Sequence, residues 1–323
     1  MNVHASALAK GQRPDPKSSA FAVDILEGLS KQPKQLSPKY FYDVAGSELF
    51  EQITVLPEYY PTRTELGILH DKGAEIAAIL PKHAALIEFG AGATTKVRLL
   101  LEHAAFDAYV PVDISGEFLN AQASVLRKDF PDLQVHPVTA DFSTPFELPE
   151  AIKAMPKVGF FPGSTIGNFE PHEACGFLRS ARQILGPGAL MLVGADLEKD
   201  ERALHAAYND AAGVTGRFNL NLLVRINREL GGNFDLSAFT HRAIYNRERH
   251  RIEMHLVSRK AQTVRILGRS FAFRTGETIH TENSYKYSLE RFTALAKGSG
   301  WKPRASWTDA DGLFSVHALV ASE

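Results

Sequence analysis

The chain has 323 residues, of which 44% are hydrophobic, and this length predicts about two folded domains with a well-filled core. Its 36 basic and 37 acidic residues nearly cancel, which argues against the cationic surface of nucleic-acid or membrane-surface proteins. The single cysteine, Cys175, excludes an intramolecular disulfide and a thiolate metal cluster, and no apolar run reaches the roughly 18 residues of a membrane span.

These features predict a cytoplasmic protein that binds a small molecule, and the balanced charge is compatible with a monomer. The polar segment 1–19 is expected to be a flexible N-terminus. A short amphipathic helix is predicted from Phe21 to Leu29, before two prolines and the aromatic cluster of KYFYD. After PEYYP, Thr62 and Glu65 have the spacing of a capping box, which predicts a helix that leads towards a glycine turn.

Strands and helices then alternate, as expected for a doubly wound parallel sheet. The predicted strands are LIEF, AYVPVDIS, LQVHPVTADF, VGFFPGST and ALMLVGAD. After Lys199 a helical stretch precedes two long alternating runs that indicate an antiparallel hairpin. A last helix, YSLERFTALAKGSG, and a last strand, LFSVHALVA, are expected to return to the first sheet.

The turn in LIEFGAGATTK carries two of the three glycines of a dinucleotide-binding turn. Gly90 and Gly92 are present, while Thr95 occupies the third position. Glu88 at the end of the preceding strand would repel a nearby pyrophosphate but not a sulfonium or ammonium group. The turn therefore favours a positively charged nucleoside ligand over NAD.

Acidic residues end the next two strands. Asp113 can accept hydrogen bonds from ribose hydroxyls, and Asp141 followed by Phe142 can bind and stack an adenine. An acid-x-G-x-G turn, an acid and an acid-aromatic pair at three successive strand ends form the arrangement that binds S-adenosylmethionine. The competing interpretation is a turn that needs glycine for packing, with acids that only cap the strands.

The chain resembles the L-histidine Nα-methyltransferases of ergothioneine biosynthesis from about Ser37 to its C-terminus. The matching segments are SPKYFYDVAGSELFEQIT, LPEYYPTRTE, EFGAGATTK, DFSTPF, FFPGSTIGNF and FNLNLLVRINRELGGNFDL. The resemblance implies a Rossmann-like class I methyltransferase sheet with a second, α+β substrate domain. The predicted boundaries are 62–197 plus 286–323 for the first domain and 20–61 plus 198–285 for the second. It also implies three methyl transfers from S-adenosylmethionine to histidine, giving hercynine.

Site residues follow from the same resemblance. The implied cofactor contacts are Tyr42, Gly90, Lys96, Asp113, Asp141 and Phe142. The implied substrate contacts are Tyr59, Gly163, Asn168, Tyr208, Met254, Glu282 and Ser284. Within the second set, the resemblance assigns the substrate carboxylate to Asn168 and Tyr208 and the imidazole to Glu282 and Ser284. Asn168, Tyr208 and Glu282 are therefore the expected catalytic set, and Glu282 is expected to determine specificity.

Physical arguments agree with several of these assignments. Lys96 lies in the first turn of a predicted helix, where its charge and the helix amides favour a carboxylate. Glu282 and Ser284 are two apart and therefore lie on one face of an extended segment. Phe41, Tyr42 and Tyr59 are candidates for the aromatic faces that accommodate a trimethylammonium product.

Other classes of site fit less well. His250 and His255 are five apart and would face opposite sides of a strand, so no metal site is predicted. GSTIG resembles a nucleophile elbow but has Thr165 at its centre, which argues against a hydrolase. Two alternatives remain open: a methyltransferase of another aromatic amino acid such as tryptophan, and a non-catalytic protein that binds S-adenosylmethionine.

Overall fold

The computed structural model describes residues 19–322, so the predicted flexible N-terminus lies outside the described residues except for Ser19. The helices are α1 (Ala20–Ser30), α2 (Val44–Thr54), α3 (Tyr60–Asp71), α4 (Gly73–Ala77), α5 (Thr95–His103), α6 (Gly116–Asp129), α7 (Pro171–Leu185), α8 (Glu201–Tyr208), α9 (Val214–Leu230) and α10 (Leu289–Gly298). The strands are β1 (Lys34–Gln35), β2 (Ala84–Phe89), β3 (Phe106–Asp113), β4 (Gln134–Val135), β5 (Val138–Thr139), β6 (Lys157–Phe161), β7 (Leu190–Asp196), β8 (Phe239–Asn246), β9 (Arg251–Ser258), β10 (Gln262–Ile266), β11 (Arg269–Phe273), β12 (Thr278–Tyr285), β13 (Trp301–Thr308) and β14 (Phe314–Ala321).

The larger sheet has eight strands, in the order β13-β14-β7-β6-β2-β3-β4, with β5 also paired to β3. The strands from β7 to β4 and β5 run parallel, and β14 runs antiparallel to both β7 and β13. Buried apolar residues cover both faces of this sheet, which confirms the predicted doubly wound parallel architecture.

Two parts of this sheet differ from the sequence prediction. The predicted strand LQVHPVTADF is two short strands, because pairing with β3 is interrupted at Pro137, which has no amide hydrogen. The edge strand β13 was not predicted, since its residues are mostly exposed and its pairing is irregular between Pro303 and Ala305.

A second, four-stranded sheet has the order β1-β12-β9-β8, and β10 and β11 form a separate hairpin. The predicted single hairpin was wrong, because each of its two long runs turns back on itself: β8 pairs with β9 in the first run and β10 with β11 in the second. Strand β12 then returns to pair with β9.

One hydrophobic core joins the N-terminal segment to the insertion after Lys199. It contains buried residues of α1 and of the segment before α3 together with residues of α8, α9 and strands β8 to β12. This shared core agrees with a discontinuous second domain, while its exact boundaries stay a prediction. No helix within residues 19–322 is long and apolar enough to cross a membrane.

The predicted capping box at the start of α3 was wrong. The helix begins at Tyr60, with Pro61 in its first turn. The Glu65 side chain is buried in the fold, where it accepts hydrogen bonds from the Gly163 amide at 2.8 and 3.0 Å. Glu65 therefore connects α3 to the loop after β6 and leaves Thr62 without the expected partner.

Candidate active site

The glycine turn after β2 lies against the aromatic residue that follows the third strand end. Gly90 has φ +74°, and a Cβ placed on it would lie 3.2 Å from Cε1 of Phe142. The amides of Gly90 and Ala91 both donate to the Val112 carbonyl, at 2.8 and 3.0 Å. Both the positive φ and the close approach of Phe142 therefore favour glycine at position 90. The two hydrogen bonds to Val112 fix the turn to the end of β3.

The two acids predicted to bind the cofactor stand at the same edge of the sheet. The Asp113 carboxylate ends β3 and accepts from the Ser115 amide at 2.8 Å, and burial raises its pKa. Asp141 follows β5 and accepts from the Ser143 amide at 3.0 Å. Because parallel strands end at one edge, the structure brings these acids to the Gly90 turn.

Lys96 lies in the first turn of α5, as predicted, and its Nζ is 2.6 Å from Oε2 of the buried Glu65. Gly163 is the third member of this cluster. It has φ +79°, and a Cβ there would lie 3.3 Å from the Lys96 Nζ. The Lys96 ammonium and the Gly163 amide thus bind the same Glu65 carboxylate, which brings a predicted cofactor residue and a predicted substrate residue together.

Glu88 is buried, and the Tyr109 hydroxyl donates a hydrogen bond to it. Removal from water raises the pKa of Glu88 to about 7, against the effects of Tyr109 and of the nearby Lys96 charge. At neutral pH this carboxyl therefore carries only part of the negative charge that the sequence interpretation assigned to it.

Strand β12 carries the acid and the hydroxyl predicted to bind an imidazole. Glu282 pairs in register with Met254 of β9, and the register shifts between His280 and Glu282. No group within residues 19–322 donates a hydrogen bond to the Glu282 carboxylate, and its removal from water raises its pKa to about 7. Ser284, on the same face, has its Oγ 2.7 Å from the Tyr208 hydroxyl.

Two tyrosines from the N-terminal segment complete this pocket. The Tyr59 ring lies 6.2 Å from the Tyr208 ring, measured between centroids, and both are buried. Burial and the Glu282 charge raise the pKa of Tyr42, and Asp113 adds to this effect. The charges of an acid on the cofactor side and of an acid on the substrate side therefore both act on Tyr42. Phe41 is fully buried against Phe218, at 4.6 Å, and does not offer a free face.

Asn168 ends a short 3-10 helix, Thr165–Asn168, that packs closely on the end of β12. A Cβ on Gly167 would lie 2.8 Å from the Tyr285 carbonyl, so only glycine permits this approach. The Asn168 side chain is half-buried and makes no hydrogen bond within the part of the chain that the structure describes. Its amide is free to bind a ligand beside β12.

Sequence reasoning missed a buried ionic group behind this pocket. Lys286 is fully buried, and its Nζ lies 2.7 Å from Oδ2 of Asp196. Lys199 pairs with the other oxygen of Asp196, and the Tyr60 hydroxyl donates to the same carboxylate. A lysine between two tyrosines, in SYKYS, carries no sequence signal of burial, because lysine is almost always exposed.

The histidines considered in the sequence have separate roles. His250 lies in the turn between β8 and β9 and pairs with Glu198 at 2.8 Å. The possible ligand atoms of Glu253, His255 and His280 lie within 4.8 Å of one another, and Glu253 is already bonded to Arg251. The absence of a metal site stays a prediction.

Comparison with known proteins gives a consistent result. A sequence profile of the family described as "Histidine-specific methyltransferase, SAM-dependent" matches residues 21–321. The histidine N-alpha-methyltransferase of Mycolicibacterium smegmatis is 40% identical over 97% of this chain and 99% of its own length. The corresponding protein of Mycobacterium tuberculosis is 39% identical over 91% of this chain and 92% of its own. Ergothioneine biosynthesis protein 1 of Neurospora crassa is 31% identical over 90% of this chain, which spans 33% of that longer protein.

Proposed function

The chain belongs to the family of SAM-dependent, histidine-specific methyltransferases, and we propose that it trimethylates the α-amino group of L-histidine to give hercynine. Hercynine formation would be the first step of ergothioneine synthesis. The large sheet is the Rossmann-like sheet of class I SAM-dependent methyltransferases. One observation carries the choice of substrate: the Glu282 carboxylate has no hydrogen-bond donor in residues 19–322. Burial raises the pKa of Tyr42, Tyr59 and Tyr208, and the charge of Glu282 adds to this effect.

The residues at the strand ends fit S-adenosylmethionine. Because Gly90 has no side chain, where a Cβ would meet the Phe142 ring, an adenosine could approach the backbone of this turn closely. Asp113 would accept hydrogen bonds from the ribose hydroxyls, Asp141 would bind the adenine, and Lys96 would attract the carboxylate of the methionine part. When bound, the sulfonium supplies an electrophilic methyl group.

The residues on the substrate side of the pocket would align histidine with the methyl group of the cofactor. Asn168 and Tyr208 are proposed to hold the carboxylate of histidine, while Glu282 and Ser284 hold its imidazole. Fixing both ends of the amino acid orients the α-amino nitrogen towards the methyl group, and such alignment is the main requirement of an in-line displacement. Met254, opposite Glu282, would fill the space beside the ring.

The reaction requires little acid-base catalysis from the side chains of the protein. The attacking amine must be neutral, although a model α-amino group has a pKa near ~8, and its burial in the pocket would lower that pKa. The protons released need only a path to water. Each transfer increases the bulk of the nitrogen, and the faces of Tyr42 and Tyr59 would stabilise the final trimethylammonium by cation-π attraction.

Mass spectrometry of L-histidine incubated with the protein and S-adenosylmethionine tests this proposal. Tryptophan, tyrosine and a reaction without amino acid serve as controls. Three added methyl groups on histidine alone are expected. Methylation of tryptophan instead would overturn the assigned roles of Glu282 and Ser284, and no methylation would favour a non-catalytic binding protein.

The proposal includes the cellular location and the oligomeric state. The single cysteine, Cys175, is free and fits a cytoplasmic location. The nearly balanced charge, 36 basic against 37 acidic residues, fits a monomer that binds a small molecule and no nucleic acid. Sedimentation velocity with and without both substrates would test the oligomeric state.

A further inference from the structure

We propose that Lys286 is a positioning residue that fixes the hydrogen-bond polarity of the pocket, so that histidine binds with a neutral imidazole in one tautomer. This inference rests on the proposed function. It depends on the contacts of one buried ammonium group and on the number of protons available around it.

Lys286 directly follows β12 and has no exposed surface. Its Nζ lies 2.7 Å from Oδ2 of Asp196, 2.8 Å from Oγ of Ser284 and 3.1 Å from the hydroxyl of Tyr208. A lysine ammonium has three donors and no acceptor, so all three of its protons are used. Ser284 and Tyr208 must therefore both act as acceptors towards Lys286.

The two hydroxyl oxygens lie 2.7 Å apart and share one further hydrogen bond. Each hydroxyl owns one proton, and one of these two protons occupies the shared bond. No acceptor within residues 19–322 binds the other proton, which is left to point into the pocket. The pair thus presents one donor. For this donor to face the imidazole, Ser284 must carry the free proton and Tyr208 must donate to Ser284, which leaves Asn168 as the donor to the substrate carboxylate.

Glu282 presents the opposite polarity two residues away on the same strand. Binding of a ring N–H favours the ionised form of Glu282, and an ionised carboxylate only accepts hydrogen bonds. Within residues 19–322 nothing else donates to this group. A donor beside an acceptor complements a ring with one N–H and one bare nitrogen, which is neutral imidazole. An imidazolium would direct a second N–H against the hydroxyl proton and lose that hydrogen bond.

Asp196 keeps the lysine in place. Its carboxylate also pairs with Lys199, and the two ammonium groups hold its pKa below the ordinary value although burial acts in the other direction. A Lys286→Met variant therefore still contains a compensated Asp196, because the Lys199 pair remains. This variant removes the donor to both hydroxyls at nearly constant side-chain length.

The first test uses wild-type protein and histidine labelled at its ring nitrogens, bound together with S-adenosylhomocysteine. Nitrogen NMR is expected to show one protonated and one bare ring nitrogen. Two protonated nitrogens would overturn the inference. This measurement does not depend on the folding of any variant.

The second test compares kcat/KM for histidine with that for β-(pyrrol-2-yl)alanine, whose ring has an N–H but no bare nitrogen. In Lys286→Met the ratio of histidine to pyrrole analogue is expected to fall at least about tenfold, because the hydroxyl pair no longer has to donate into the pocket. A purely structural role would lower both values equally and leave the ratio unchanged, which would refute the inference. Wild-type protein that does not methylate histidine would instead refute the proposed function on which it rests.

Discussion

Met254 on β9 and Glu282 on β12 are paired in register across the antiparallel ladder. Directly opposite side chains on one face of such a pair lie roughly 5 Å apart, so an apolar and an acidic side chain stand together at one end of the pocket. Met254 is buried in the hydrophobic core, whereas Glu282 makes no side-chain hydrogen bond within residues 19–322. We therefore expect this end of the pocket to select a flat ring with an N–H group.

Glu282→Ala is expected to lower kcat/KM for histidine by about tenfold or more and to leave the Kd for S-adenosylmethionine within about twofold. The variant lacks the acceptor for the ring N–H of bound histidine. A buried polar group left without a partner costs roughly 1–3 kcal/mol of binding free energy. Steady-state kinetics and calorimetric titration measure the two quantities. Glu248→Ala, at an exposed acid in the β8 to β9 turn, is the control and should match wild type. Unchanged histidine kinetics in Glu282→Ala would exclude the assignment.

The pKa of Glu282 also predicts how stability changes with pH. Burial raises this pKa from 4.5 to about 7, so the folded protein retains a proton that the unfolded chain releases over this interval. The contribution of Glu282 to stability is present below pH 4.5 and is lost as the pH rises through 7. Glu282→Gln removes the titrating group. Its melting temperature, measured relative to that of wild type, should therefore be higher at pH 8 than at pH 4.5.

The expected difference is a few degrees, since about 1 kcal/mol corresponds to roughly 2–4 °C in a domain of 150–250 residues. Differential scanning fluorimetry without ligands, from pH 4.5 to 8, provides the measurement. Glu248→Gln serves as the control, because an exposed acid should give no pH-dependent difference. A constant offset between Glu282→Gln and wild type across this range would contradict the prediction.

Gly90→Ala is expected to weaken binding of S-adenosylmethionine by at least about tenfold. Alanine at φ +74° is strained, and its methyl group would lie 3.2 Å from the Phe142 ring; such strained backbone costs roughly 1–3 kcal/mol. Calorimetric titration gives the affinity. The control is Gly176→Ala in α7, where no atom lies within 4 Å of the added methyl group and affinity should not change. Equal affinities for both variants would show that the Gly90 turn does not hold the cofactor.

Two variants separate the contribution of Lys96 to S-adenosylmethionine binding from its contribution to the stability of the fold. Lys96→Met leaves the buried Glu65 without its cation, and should lower both the melting temperature and the affinity for S-adenosylmethionine. Adding Glu65→Gln removes the uncompensated charge and should restore much of the stability but not the affinity. Restored affinity in the double variant would mean that Lys96 acts only through Glu65. Lys72→Met, at the exposed pair with Glu75, is the control.

The sequence predicted the parts of the fold that depend on periodicity. The doubly wound sheet and most of its helices follow from alternating apolar segments, and the turn at Gly90 follows from its glycines. Edge strand β13 was missed because its residues are mostly exposed and lack a regular apolar pattern. The inner hairpin turns were missed because each long alternating run was interpreted as one strand. The role of Glu65 was misassigned since its partners, Gly163 and Lys96, are distant in sequence.

The candidate site was predictable only in part. Strand-end acids and glycines have local signals, but the substrate residues were found through resemblance. Lys286 was missed because its burial depends on Asp196, which lies 90 positions earlier and meets it only in the folded chain. A pair so far apart in sequence produces no periodic pattern, and a lysine beside a strand is ordinarily interpreted as a solvated charge.

Asn168→Asp is expected to raise KM for histidine by about tenfold or more, with a much smaller effect on the affinity for S-adenosylmethionine. The Asn168 amide makes no hydrogen bond within residues 19–322 and is proposed to donate to the substrate carboxylate. Aspartate is almost isosteric but only accepts hydrogen bonds, so it would place a negative charge beside that carboxylate. Lower pH should partly rescue the variant by protonating the new acid.

Kinetics for Asn168→Asp at several pH values, beside Asn168→Ala, provide the measurement. The alanine variant loses the donor without adding a charge, and its KM should therefore be lower than that of the aspartate variant. Asn120→Asp on the exposed face of α6 controls for the added charge. If Asn168→Asp and Asn168→Ala gave the same KM at every pH, no carboxylate would lie beside position 168. The substrate would then have to bind with its carboxylate elsewhere, and the alignment proposed for the amine would be wrong.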